Sequence, residues 1–123
     1  MNHLFLIIAG VSGFLSVALG AFAAHGLKNK LSPEMMSIFQ TGVQYHQIHT
    51  IALLGVALLL GNSASRAGIY AGWLFVGGIV IFSGSLYTLA ITEIRTLGAI
   101  TPIGGVAFLG GWLCLVWMGI QIK

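Results

Sequence analysis

Charge is scarce in this sequence. Only 6% of its 123 residues are Asp, Glu, Lys or Arg, whereas a soluble domain carries about 25% so that solvated groups can clothe its core. Aspartate is missing, and glutamate occurs only as Glu34 and Glu93. A Ser–His–Asp set is thereby excluded, and the two acids offer no pair suited to hydrolysis. Both fall at the ends of apolar runs, which also removes the mid-span carboxylate that commonly relays protons in transporters. The single cysteine, Cys114, permits neither a disulfide frame nor a thiolate metal site. No Gly-rich loop leads into Lys-Ser or Lys-Thr, so a phosphate-cradling loop is absent. The five Lys and Arg stand apart at run ends, as interfacial anchors do, and form no nucleic-acid patch. These gaps predict a chain that is not an enzyme, has no cofactor and binds no nucleic acid.

What is there is apolar. Hydrophobic residues make up 58% of the chain and the mean hydropathy is +1.02, so the outer face must meet lipid. Four spans of roughly 20 residues each use nearly the whole length. The expected fold is all-α: one domain forming an antiparallel, integral membrane four-helix bundle, with spans at about 4–25, 38–60, 67–92 and 98–122. An even number of crossings puts both termini on one side. The first run lacks a basic flank and exceeds the ~7–15 residues of a signal-peptide core, so it is read as a retained span.

Helix starts are marked by proline. Ser32 can cap, Pro33 suits the first helical position and Glu34 favours the positive dipole end. A helix from Pro33 to Leu60 would measure roughly 42 Å, longer than the hydrocarbon core. Its first turns are therefore expected at the interface, with Met35, Met36, Ile38 and Phe39 toward acyl chains and Gly42 as the natural hinge. Thr101-Pro102 repeats the signal. Either helix four begins at Pro102, leaving 97–100 as non-helical chain satisfied by protein, or a proline-kinked helix runs through. Small residues supply the expected contacts between helices: the ladder Ser12, Ser16, Gly20 and Ala24, the pair Gly68 and Gly72, and Gly104 with Gly111.

Let the N-terminal side be A and the far side B. Lys28, Lys30 and Arg95 fall on B, Arg66 and Lys123 on A, and the amino terminus offsets the difference, so basic residues select neither orientation. Tyr70, Trp73 and Trp117 form an aromatic belt near A. Polar residues gather in the B-side half, where they cost least by facing one another. A pocket opening toward B is predicted from His25, Gln44, Tyr45, His49, Ser83, Ser85, Tyr87 and Thr101. Three readings compete. The first is hydrogen bonding between helices in an accessory or interaction protein, whose partners are lipids, a second copy or a larger membrane complex. The second is binding or conduction of a small molecule, lipid head group, quinone or protons, with His25 and His49 as donors or proton carriers. The third is haem or metal at His46 and His49, three apart on a helix, with His25 approaching from span one; no carboxylate accompanies them.

Four stretches also occur in one order: Gly20-Ala21-Phe22-Ala23-Ala24-His25-Gly26-Leu27, Thr41-Gly42-Val43-Gln44-Tyr45 with His49, Phe82-Ser83-Gly84-Ser85-Leu86-Tyr87, and Ile100-Thr101-Pro102-Ile103-Gly104-Gly105. In these the chain resembles the DUF423 (UPF0382) family of small bacterial membrane proteins, related to the eukaryotic transmembrane protein 256 group. The resemblance spans essentially the whole chain. It implies a multi-span bacterial inner-membrane protein, in which His25 and His49 sit where the family's histidines sit, whereas His46 is not part of its pattern. It implies no activity.

Overall fold

The computed structural model describes residues 2–122; Lys123, counted above among the side A charges, lies outside them. Four long apolar helices carry the fold: α1 (Asn2–His25), α2 (Pro33–Leu60), α3 (Arg66–Thr92) and α4 (Thr101–Gln121). Among the described residues there is no strand.

Capping fixes where the helices begin. Ser32 Oγ accepts from the Met35 N–H at 3.2 Å with Pro33 in the first turn, and Ser65 does the same for Gly68 at 3.1 Å. Side chains thus satisfy donors that the helix leaves open. α2 then runs unbroken for 28 residues. Gly42 is no hinge; it receives the ring of Tyr87 from α3. The expectation that Met35 and Phe39 meet acyl chains is also corrected. They are 1% and 0% exposed, packed with Ala23, Leu27, Leu89 and Ala90. The B-side ends of α1 and α3 reach far enough to cover them.

α3 is interrupted. Its α-helical stretches Arg66–Gly78 and Gly84–Thr92 are joined by a π-helical turn, Ile79–Ser83. That turn lays the Phe82 backbone against Gly104 of α4, in space a Cβ would occupy. Such turns are frequent at functional positions. Glu93, at φ 58°, closes the helix in the left-handed region, its N–H donating to the Leu89 carbonyl at 2.7 Å. Neither reading of residues 97–100 fits as it stood. Arg95–Ala99 form a short 3₁₀ helix that leads into α4 at the exposed B-side edge. Its backbone is partly satisfied within the turn, Leu97 N–H donating to the Ile94 carbonyl at 3.1 Å and Ile100 N–H to the Leu97 carbonyl at 3.0 Å.

α2 and α3 are the inner pair. Of their apolar stretches 39% is buried, against 22% for α1 and α4, so the outer two present most of their surface to lipid. Aromatic rings seat on glycines across the helix pairs. Phe5 of α1 lies on Gly72, Phe75 of α3 on Gly111, and Phe108 of α4 on Gly78. The α3–α4 contact is thus reciprocal, each helix giving one ring and one glycine. Gly68 faces Leu60 of α2 and Met118 of α4 instead, so the Gly68/Gly72 pair serves three different helices. On α1, Ser12 and Ser16 are buried, and Gly20 meets Val43 of α2, whereas Ala24 is exposed and Ala23 takes the inward position.

Candidate functional site

The polar residues do not assemble into one pocket. Three separate groups form, and the most connected is centred on His46. Its Nδ1 lies 2.9 Å from Tyr87 Oη and its Nε2 lies 2.9 Å from Ser12 Oγ. Ser12 Oγ is 2.6 Å from Thr50 Oγ1, which donates to the His46 carbonyl at 2.7 Å. The carbonyl holds no proton, so Thr50 must give its own. Ser12 then donates to Thr50, His46 Nε2–H donates to Ser12, and Tyr87 donates to His46 Nδ1. Each contact receives one proton, and every hydroxyl and ring proton is used once. The ring is thereby assigned as the Nε2–H tautomer. These residues lie on α1, α2 and α3, one helical turn separating His46 from Thr50.

His49 faces the other way. Its Nδ1 is 2.8 Å from the Tyr45 carbonyl, to which it donates, and its Nε2 accepts from Trp112 Nε1–H at 3.0 Å. This is the opposite tautomer. The imidazole lies flat on Phe108, with ring centroids 3.6 Å apart and 10° between planes, and Phe75 and Trp112 complete the enclosure. The third group ties α3 to α2 and α4. Ser83 Oγ–H donates to the Gly42 carbonyl at 2.8 Å, while Ser85 donates to the Phe82 carbonyl at 2.9 Å and meets Thr101 Oγ1 at 2.6 Å.

Of the remaining expected residues, two stand outside these groups. His25 is exposed at the end of α1 and Gln44 is exposed on α2, and neither side chain has a hydrogen-bond partner among the described residues. Tyr45 contributes its carbonyl, and its ring packs on Phe82 at 4.7 Å. His25 and His49 therefore do not share a cavity. His46 and His49 do not converge on a common point either: one addresses α1 and α3, the other α4, and all four ring nitrogens already have partners. Among the described residues no three His, Cys, Asp or Glu cluster. The sequence reading missed Trp112, Thr50 and the hydrogen-bonding role of Ser12. Thr50 was findable, four residues after His46 on the same face; Trp112 carried no signal beyond its type.

Beside the His46 group lies a cleft of about 520 Å³ between α1 and α3. Its walls are Ile7, Val11, Leu15, Val76 and Val80, and Ser12, His46 and Tyr87 form its polar patch. Of the eight residues expected to line a pocket, Tyr87 alone reaches it. A larger recess of about 690 Å³ sits at the A-side end beside Arg66, Tyr70 and Trp117; it is formed by the α2–α3 turn and the end of α4 and holds none of the buried hydrogen-bonded groups. The cleft is the better candidate, because its apolar walls lie beside the most connected polar group.

Residues 19–105 match the family described as Protein of unknown function (DUF423). The chain belongs to the DUF423 family. It is 46% identical to UPF0382 membrane protein YwdK of Bacillus subtilis over 95% of this chain and 96% of that one. A UPF0382 membrane protein of Staphylococcus epidermidis is 49% identical over 91% of both chains, and UPF0382 inner membrane protein YgdD of Escherichia coli K12 is 40% identical over 99% of this chain and 93% of that one. No solved structure gives a significant match. With four apolar helices of spanning length, this DUF423 member is a multi-pass protein of the bacterial inner membrane.

Proposed function

We propose that this DUF423 protein is a non-enzymatic membrane protein that binds a bilayer-soluble amphiphile carrying a hydroxyl donor in the cleft between α1 and α3. The observation that carries this reading is the proton count around His46. Tyr87 and Ser12 have committed their protons inward, so toward the cleft they offer only oxygen lone pairs. A bound molecule must supply the proton, which favours an alcohol, phenol or quinol over an oxidised quinone or an ester. The apolar walls accept a hydrocarbon body.

The same count argues against hydrolysis, although Ser12 and His46 are 2.9 Å apart. A serine nucleophile needs a histidine whose Nε2 is bare and whose Nδ1–H is held by an acceptor. Here Nε2 carries the proton and Nδ1 accepts, the reverse polarity. No cofactor enters this reading.

A photoreactive long-chain alcohol, added to the protein in lipid nanodiscs, tests it. Labelling is expected on α1 between Ile7 and Leu19 and on α3 between Val76 and Tyr87, and the methyl ether of the same probe should label weakly. Val80 is 67% exposed and lines the cleft, so Val80→Trp fills the space without touching the core and should abolish labelling. Equal labelling by alcohol and ether, or no effect of Val80→Trp, would overturn the proposal.

A further inference from the structure

One face of α2 remains open. Gln40, Gln44, Gln47, Ile51, Leu54 and Leu58 are all exposed, with Ile51 at 69% and Leu58 at 64%. They follow one another by four, three, four, three and four residues. That is the alternation of a coiled-coil seam, which stays on one side of a helix because it averages 3.5 residues per repeat. A different face of α2, bearing Phe39, His46 and Leu53, is buried in the bundle. The seam lies beside the α1 contact, where Gln47 Nε2 approaches Gly20, and keeps its six residues exposed.

Its B-side half is the unusual part. α2 spans 28 residues, about 42 Å, and the hydrocarbon core is about 30 Å. Centring the helix puts Gln44 about 10 Å below the hydrocarbon edge and Gln47 close to the midplane. None of the three glutamine side chains has a hydrogen-bond partner among the described residues. Acyl chains provide neither donor nor acceptor, so an amide at that depth requires a partner from protein.

We infer that this seam is the interface with a second copy of the chain, α2 lying parallel to α2 across a twofold axis along the membrane normal. Self-recognition follows from chemical complementarity. A glutamine amide carries donors and an acceptor, so it pairs with its own equivalent. In a parallel pair the amide half of one seam meets the amide half of the other at the same depth. The aliphatic half likewise meets the aliphatic half. A twofold places each residue of the seam against its equivalent, which satisfies both chains with one surface. The seam carries no charge, so nothing on it repels an identical copy. The cleft lies between α1 and α3, so this inference does not depend on the proposed ligand, and either can fail alone.

Cysteine cross-linking in native membranes tests it, in full-length chain with Cys114 replaced by alanine. Gln44→Cys, Ile51→Cys and Leu58→Cys should each yield, on oxidation, a species of about twice the 12.9 kDa chain mass. Val17→Cys and Val106→Cys, exposed on α1 and α4, should not. Because the seam residues are exposed, the variants should fold, and circular dichroism verifies this. In a second measurement, subunit counting at varied lipid-to-protein ratio, Gln44→Leu with Gln47→Leu should weaken dimerisation at least about tenfold. Three results overturn the inference: no cross-link along the seam, cross-linking as strong at the control positions, or cross-links only to a protein of different mass.

Discussion

Trp112 Nε1 donates to His49 Nε2 at 3.0 Å while Phe108, one turn earlier on α4, stacks on the same imidazole at 3.6 Å. A single buried histidine of α2 is thus held edge-on and face-on by one neighbouring helix. Removing the donor alone leaves Nε2 bare in an apolar enclosure. Trp112→Phe is expected to destabilise the bundle by about 1 kcal/mol, seen as a lowered unfolding midpoint in detergent. His49→Phe added to it should recover part of the loss, because the orphaned acceptor is gone. An unchanged midpoint in Trp112→Phe would show that this bond contributes nothing.

The two histidines should differ in tautomer. Nitrogen NMR of labelled protein in bilayers is expected to find the proton on Nε2 for His46 and on Nδ1 for His49. Ser12→Ala should disturb the His46 signals and leave those of His49 in place, since the hydrogen-bonded groups share no residue. The same tautomer at both sites would contradict the proton assignment on which the cleft's acceptor character rests.

Glycines that seat rings should be irreplaceable, and glycines facing open space should not. A Cβ at Gly111 would lie 2.5 Å from the Phe75 ring, so Gly111→Ala should cost roughly 1–3 kcal/mol through overpacking. Gly77 and Gly119 have nothing within 4 Å; alanine there should be neutral or stabilising by up to about 1 kcal/mol, since it loses less backbone freedom in a helix. Thermal unfolding of the three variants decides it, and equal losses at all three would sink the distinction.

Arg95 reaches Glu34 with two bonds, at 2.9 and 3.3 Å, joining the start of α2 to the turn before α4. Both side chains are more than half exposed, and water and salt screen such pairs heavily. Glu34→Gln should leave the unfolding midpoint essentially unmoved at physiological salt. A clear drop would mean the membrane surface shields this pair from water.

Much of the fold was legible before any coordinates. Apolar length predicted four crossings, and Ser32-Pro33 marked the start of α2 because a cap acts within one turn of itself. Local signals failed where a neighbour decided the outcome. Met35 and Phe39 read as lipid-facing since nothing nearby in sequence shows that Leu27 and Leu89 will cover them. His46, set aside for not matching the family's pattern, became the best-connected polar residue, while His25, favoured by that pattern, stands exposed at a helix end. The gathering of polar types toward side B was visible; its division into three groups was not.

By itself, the sequence determined that this chain lives in a membrane as four helices, because hydropathy sums along the chain and backbone hydrogen bonds close within each helix. Only the tertiary structure decided which polar groups meet, since that depends on how each helix is rotated about its axis. The rotation is set by rings settling on glycines of other helices, contacts between residues far apart in sequence. Phe108 on Gly78 and Phe75 on Gly111 turn α4 so that Trp112 faces His49, and no pattern local to either segment encodes that meeting.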